Sequence, residues 1–326
     1  MRLQALRENL RGLPPFADGY VRYTRKLSAF AWGLSRMMTL TDVAAITGLS
    51  WDTAKAIVRP YLAKEVEKIA YKEVKRLSID ELYVGKARKF YTLVINLDDG
   101  HIIWVAHGRG AACLKPFWRR LRRSKARVEA VSMDMSAAYW KTVRDNLPEA
   151  AVVFDRFHIV KLVNDRLDKL RRLLVRRARG IVQQDAIKGT RYLLLTRRDC
   201  LDGDRLQALD AALRENEPLF TAYYLKEELN LLWAQDTAHA MKTFLRQWCR
   251  RACTAGIPYF KELAKTLLRH TVGIVNWFTH RISSGRIEGI NNKIRTLTRS
   301  AYGYRDEGFF LLKLYNLHHS RQELLG

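Results

Sequence analysis

The sequence has few of the features that would place it in a membrane, a secretory pathway or a disulfide-bonded scaffold. No window of about 18 residues is both apolar and free of charge, so no transmembrane helix is expected. The first residues, MRLQALRENLRGLPP, have no apolar stretch of the kind a signal peptide carries. Cysteine is scarce, with four residues at 113, 200, 249 and 253 and no CxxC pair, so no disulfide framework is expected. Cys249 and Cys253 lie four apart in a helical pattern without a second pair, which reads as a buried thiol pair rather than a metal site. Seven prolines and eighteen glycines in 326 residues never cluster into a linker, and no repeat or low-complexity segment appears. Acids are also in short supply: 33 Asp+Glu face 58 Lys+Arg, a net charge of +25. That excess is too large for a typical metabolic enzyme and points to a polyanion partner, nucleic acid first. The chain is expected to be cytoplasmic and nucleoid-associated, with no membrane partner.

What is present is a chain that is 48% hydrophobic and 28% charged, enough to bury a core. Residues 1–76 read as helical and carry 14 basic against 7 acidic residues. Within them, TLTDVAAITGLSWDTAKAIVRPYL (39–62) places Ala44, Gly48, Ala54 and Ile57 at the offsets of a helix-turn-helix. A small residue lets two helices cross closely, glycine takes the turn, and apolar residues lock the second helix. Thr41 and Ser50 are the expected N-caps. The second helix is expected to present Trp51, Asp52, Thr53, Lys55 and Arg59 outward, as a recognition helix does in a major groove. A plain helical hairpin remains open on this pattern.

From residue 77 the period changes from helix to strand. LSIDELYV, FYTLVINL (90–97) and HIIWVAHG (101–108) read as strands, the last two joined by an Asp98-Asp99-Gly100 turn. The basic helical stretch LKPFWRRLRRSK follows, with Arg119 and Arg122 as candidate DNA contacts. VEAVSM (128–133) and AAVVF (150–154) are strands, with the helix SAAYWKTVRDNL between them. The order β-β-β-α-β-α-β implies a mixed sheet with covering helices, an order that fits a ribonuclease-H-like fold and other α/β sheets too. Beyond residue 155 the pattern is helical: Val163, Leu167, Leu170 and Leu174 make an amphipathic stripe, and residues 156–198 carry 13 basic and 3 acidic residues. Trp233, Trp248 and Trp277 read as core. The expected division is a helical DNA-binding region over 1–76, a catalytic core over 77–158 and 281–326, and an all-helical insertion over 159–280.

Three acids occupy positions from which chemistry could be done. Asp80 lies in the first strand, Asp134 at the carboxyl end of the fourth, and Glu288 in the first turn of the helix that follows Ser283-Ser284-Gly285. Open α/β sheets place ligands at the carboxyl ends of strands. Phosphoryl transfer on DNA uses such converging carboxylates to hold two divalent ions about 3.5–4 Å apart. Hard cations prefer carboxylate oxygen, and Mg²⁺ keeps several of its waters. With 33 acids in the chain, spacing alone is weak evidence. Asp155 and His158, at the end of the fifth strand, are expected to share a face and to assist, or else to form a structural pair. Asn291, Asn292 and Arg295 make a polar stripe on the Glu288 side, with Arg295 a candidate DNA contact and Asn292 a candidate accessory residue. Gly289, inside that helix, suggests a close backbone approach.

The strings SIDELYVGKARKFYTLVINLDDGHIIWVAHGR, VEAVSMDMSAAYW, VVFDRFHIVKLVNDRLDKLRR and RIEGINNKIRTLTRSAYGYRD resemble the transposases of the ISL-three insertion-sequence family, from about residue 20 to the end. The resemblance implies a DDE transposase with a ribonuclease-H-like mixed-sheet core, an N-terminal helix-turn-helix and a large all-α insertion. It carries the three acids onto Asp80, Asp134 and Glu288 as catalytic and metal-binding residues, and Asp155 and His158 onto the family's FDRFH phrase. It implies Mg²⁺ or Mn²⁺ as cofactor, two ions, with double-stranded DNA as partner and a homo-oligomer on that DNA. The sequence departs from the family's pattern in having no CxxC pair, where members usually carry a cysteine-rich N-terminal module with such pairs. A catalytically inactive or domesticated DNA-binding protein is the alternative.

Overall fold

A computed structural model describes residues 22–84, 89–178, 184–185, 187–214, 216–282 and 284–317. The opening stretch MRLQALRENLRGLPP lies outside the described residues. A five-stranded sheet runs through the chain in the order β3-β2-β1-β4-β5. The chain forms two compact units, one of residues 1–74, 81–126 and 286–326 and the other of 75–80 and 127–285.

The described part of the first unit opens with three helices, α1 (Arg25–Ser35), α2 (Leu40–Thr47) and α3 (Trp51–Glu67). Thr39, not Thr41, caps α2. Its side chain accepts from the Asp42 N–H, and the Asp42 carboxylate accepts from the Thr39 N–H at 3.0 Å. That reciprocal pair satisfies two of the helix's orphan donors, which Thr41, already one residue inside the helix, cannot do. Gly48 ends α2 at φ 68°, the left-handed conformation that costs glycine no β-carbon clash. Ser50 then caps α3 through the Thr53 N–H at 3.2 Å. Ala31, Val43, Ala54 and Ile57 form the core of the three helices, with Ala44 against it.

Lys55 is more covered than expected, with 20% of its side chain exposed, while Arg59 keeps 43% exposed. Helix α14 (Glu307–Tyr315) packs on α3, burying Phe309 with Leu40, Val58 and Leu62. Asp306, the N-cap of α14, draws in both cations: Lys55 Nζ at 2.8 Å and the Arg59 guanidinium in a short ion pair. Lys55 also lies 5.0 Å from the centre of the Trp51 ring. These pairs hold the Asp306 carboxyl below its ordinary range, with the Lys55 hydrogen bond the largest cause.

The same unit holds the hairpin of β2 (Lys89–Asn96) and β3 (Ile102–His107), antiparallel with Leu93 opposite Val105. Gly100 turns it at φ 85°. Helix α4 (Lys115–Ser124) buries Phe117, Trp118 and Leu121, and the Phe117 ring meets Tyr71 and Trp104. Arg119 and Arg122 remain exposed on its opposite face.

The second unit is built on parallel pairing. Strand β1 (Arg76–Val84), whose first residues belong here, pairs with β4 (Ala130–Met133), and β4 pairs with β5 (Ala151–Phe154). All four residues of β4 are buried, as expected of a parallel strand covered on both faces. The crossover from β4 to β5 is α5 (Ala137–Asn146), and β5 feeds α6 (Arg156–Arg177). Ile159, Val163, Leu167 and Leu170 of α6 are buried, along with Asp168, whose carboxylate accepts from Arg171 Nε at 2.9 Å and Arg172 Nε at 2.8 Å. Among the described residues α7 (Arg191–Leu195), α8 (Gly203–Arg214), α9 (Glu217–Leu229), α10 (Ala238–Thr254), α11 (Pro258–Arg269) and α12 (Thr271–His280) follow. Trp248 is fully buried, and its indole N–H donates to Leu225 O at 2.8 Å. Beside it Cys249 is a buried free thiol, pushed up to about 12 by burial.

Helix α12 holds β5 in place. Asn276 Nδ2 donates to Val152 O at 2.9 Å, and Gly273 lies so close to Phe154 that an added β-carbon would meet the ring at 2.4 Å. We expect Gly273→Ala to destabilise the chain by about 1–3 kcal/mol. The roughly 1 kcal/mol that alanine gains over glycine in a helix does not offset a clash with a fully packed ring. Thermal unfolding checks this; an unchanged or raised midpoint would show that the contact is looser than it looks.

Candidate active site

Asp80, Asp134 and Asp155 are brought to one level by the parallel register. Ser78 of β1 is opposite Ser132 of β4, so two residues further on Asp80 stands level with Asp134. Met133 is opposite Phe154 of β5, so one residue further on Asp134 stands level with Asp155. The Asp155 N–H donates to Met133 O at 3.1 Å, which continues the ladder to the strand end. Three adjacent strands thus deliver one carboxylate each to the same edge of the sheet.

Their surroundings differ. Asp80 and Asp134 are partly exposed. Asp134 Oδ1 accepts from the Ser136 N–H at 3.0 Å, which steadies the carboxyl at the turn into α5. Asp155 is buried and caps α6, its Oδ1 accepting from the Phe157 N–H at 2.9 Å. Burial pushes the Asp155 carboxyl above its usual range, and the negative charge of Asp80 adds to that rise. The Phe157 hydrogen bond and the charge of His158 work against it. That Asp80 acts on Asp155 means the two carboxylates feel one another across the intervening strand.

A test of this strain follows. An acid whose pKa is raised by folding binds more protons folded than unfolded, so its ionised form costs stability above the unfolded value. Asn keeps an oxygen for the Phe157 N–H and is an equally good cap. Asp155→Asn is therefore expected to raise the melting temperature in metal-free buffer at pH 7, with the gain disappearing as pH falls through the carboxylate range. A lower melting temperature at pH 7 would mean that the charge stabilises the fold.

Glu288 sits on α13 (Ser284–Ser300), which belongs to the first unit. The helix starts at Ser284, two residues earlier than expected, so Glu288 stands exposed in the second turn. Arg295 donates to Asn292 Oδ1 at 3.1 Å, joining two members of the expected polar stripe. The close approach expected at Gly289 is absent: a β-carbon there would meet open space, while the tight glycine is Gly273. Arg286 donates to Leu97 O, and its side chain lies 3.6 Å from where a Gly100 β-carbon would stand, tying α13 to the β2–β3 turn.

No three His, Cys, Asp or Glu side chains among the described residues stand together as a ready-made metal cage. The donors at the strand ends are nonetheless of the right kind. They are hard carboxylate oxygens, and Mg²⁺ uses one or two carboxylates while keeping most of its water. A divalent ion beside them would also relieve the repulsion between Asp80 and Asp155. Among the described residues, no helix is long and apolar enough to cross a membrane.

A family model described as transposase matches residues 77–314, and one for the helix-turn-helix domain of transposase family ISL3 matches residues 13–62. The transposase for insertion sequence element IS1001 of Bordetella parapertussis is 31% identical over 302 residues, 90% of this chain and 74% of that protein. The transposase for insertion sequence element IS1557 of Mycobacterium tuberculosis is 30% identical over 338 aligned positions, 96% of this chain and 76% of the relative. Among solved structures, a Drosophila P element transposase strand transfer complex aligns with a TM-score of 0.43 at 12% identity, covering 99% of this chain and 100% of that one.

Proposed function

The chain belongs to the ISL3 family of transposases and is an insertion-sequence transposase, and on that premise we propose that Asp80, Asp134 and Glu288 are its catalytic carboxylates, with Asp155 and His158 as accessory groups. The observation that carries the reading is the common level of Asp80, within β1, with Asp134 and Asp155, just past the ends of β4 and β5, on three adjacent parallel strands. The strand order β3-β2-β1-β4-β5 with parallel β1, β4 and β5 is the order of a ribonuclease-H-like sheet, and we assign the core to that fold. With this assignment we propose three functional parts, which cut across the two compact units: a DNA-binding region over 1–76, a catalytic core over 77–158 and 281–326, and a helical insertion over 159–280.

Asp80, Asp134 and Glu288 would hold Mg²⁺ or Mn²⁺, two ions. Bound there, the ions would supply activation of the attacking oxygen and neutralisation of the leaving one. The chain's own part is to hold and orient. Asp134, steadied by the Ser136 N–H, keeps one carboxyl oxygen fixed and the other available. Asp155, spent on its helix cap, adds negative charge behind the site rather than a free ligand. Water attacks a phosphodiester at the element end and releases a 3′-hydroxyl, and that hydroxyl attacks target DNA in line. Each step exchanges one phosphodiester for another or hydrolyses it, so no ATP is needed.

Arg119 and Arg122 on α4, Arg295 on α13 and Thr53 on α3 are the DNA contacts of this reading. Lys55 and Arg59 reach DNA only by giving up Asp306. Joining two ends requires more than one active site, so the working form is a homo-oligomer on double-stranded DNA. The test is metal-dependent nicking of a duplex that carries the element end. A chain that binds such a duplex but never nicks it in Mg²⁺ or Mn²⁺ is the alternative, a DNA-binding regulator.

A further inference from the structure

A cavity of about 260 Å³ opens where α6 leaves β5, entirely within the second unit. Arg156 and Phe157, the residues between Asp155 and His158, line it together with Asn164, Arg197, Trp233 and an apolar floor that includes Val163 and Leu229. Its volume is below that of a drug-sized pocket, and it suits a single planar ring with a small anion.

Of the three cations that line it, Arg156 is not balanced by a described carboxylate. The Arg156 guanidinium lies 4.7 Å from the centre of the Trp233 ring and is partly buried. Among the described residues no acceptor takes its N–H groups and no carboxylate pairs with it. Arg197 is close enough for its charge to act on Arg156, so two cations are held together at the mouth of one cavity. Arg197 has one acid partner, Asp199. Lys226, deeper in, is already spent: its ammonium donates to Leu194 O and Thr196 O, both at 2.9 Å, and pairs with Glu227 at 2.6 Å. Asn164 Oδ1 is buried without a hydrogen-bond partner. Orphaned buried acceptors cost stability and usually await a donor. The Phe157 ring stands 54% exposed at the rim.

We propose that this cavity receives one unstacked nucleotide, its phosphate taken by Arg156 and Arg197 and its base lying on the Arg156 plane above Trp233, with a base N–H filling Asn164 Oδ1. An arginine plane stacks bases as aromatic rings do, and backing by an indole leaves it flat. Two of the cavity residues sit between Asp155 and His158, so an occupant is a nucleotide of the strand being cut or joined. This inference rests on the DNA-strand reading of the neighbouring aspartates. A free nucleotide shares the same chemistry, and the test separates the two sources.

The probe is a duplex with a single-stranded 3′ overhang bearing 2-aminopurine, whose fluorescence is quenched by stacking, bound to the full chain without metal. The overhang duplex is expected to bind about tenfold tighter than its blunt counterpart, as one stacked base provides, with its fluorescence quenched. Arg156→Ala is expected to lose both effects. Should that variant unfold, Asn164→Asp keeps the side-chain shape while setting a negative charge against the phosphate, and it should lose them too. Reversal of the quench by dAMP assigns the cavity to nucleotides in general, and failure of dAMP to reverse it assigns the cavity to a DNA strand. Equal binding of overhang and blunt duplexes, or a quench unchanged in folded Arg156→Ala and Asn164→Asp, overturns the proposal. Asp134→Asn should keep the quench, so a wild-type chain that nicks DNA without quenching would sink the cavity alone.

Discussion

Asp134→Asn is expected to lower DNA cleavage by about a thousandfold or more, with affinity for duplex DNA unchanged within about twofold. The substitution keeps the planar shape and the oxygen that accepts from the Ser136 N–H, so the turn into α5 survives. What disappears is an anionic oxygen at the end of β4. A metal-polarised phosphoryl transfer depends on such ligands for several kcal/mol of transition-state stabilisation, and each 1.36 kcal/mol is tenfold in rate. Binding is expected to persist because the basic surfaces, rather than the acids, meet the phosphates. Cleavage by purified Asp134→Asn at a rate near wild type would remove Asp134 from the site and with it the common level of the three aspartates as an explanation.

The second large effect is on binding. Affinity for double-stranded DNA is expected to fall by roughly 10³–10⁵ between 50 and 200 mM salt if six to ten phosphates are contacted, through release of condensed counterions. The net +25 supplies the cations. The structure shows which of them are committed elsewhere. Arg171 and Arg172 are drawn onto buried Asp168, Lys226 is spent on two carbonyls and Glu227, and Lys55 and Arg59 on Asp306. Arg119 and Arg122 of α4 stay exposed. Arg119→Ala is therefore expected to weaken binding and flatten the slope by about one counterion, whereas Lys55→Ala should first lower thermal stability. A filter-binding titration across salt measures the slope, and a nearly flat response would contradict a phosphate-held complex.

The strands and the order of the elements were legible in the sequence because period-2 apolar runs and their turns are local signals. Asp98-Asp99-Gly100 marked the hairpin, and Gly48 marked the turn between α2 and α3. Asp134 could be picked out because strand ends are readable, and Asp80 because it is an acid set among apolar residues within a strand. The alignment of Asp155 with them was not, since register between β4 and β5 is set across a ten-residue helix and appears only when the strands pair. Thr39 and Thr41 lie on either side of the first helical residue, and only the reciprocal bond with Asp42 identifies Thr39 as the cap. Asp306 lies 247 positions from Arg59, and no spacing rule reaches that far. Gly289 drew attention as the glycine in a functional helix, yet the tight contact is Gly273 against Phe154, a partner that only the fold supplies. Arg156 and Trp233 are likewise distant in sequence and meet where α6 leaves the sheet.

The most direct measurement is an end-labelled duplex carrying the element's terminal repeat, incubated with the full chain, first with chelator and then with Mg²⁺ or Mn²⁺. The account predicts binding in both conditions and, only after metal is added, a nick that leaves a 3′-hydroxyl capable of joining to a second duplex. A stable complex that yields no nick in either metal would contradict it and leave the chain a DNA-binding protein without the chemistry assigned to Asp80, Asp134 and Glu288.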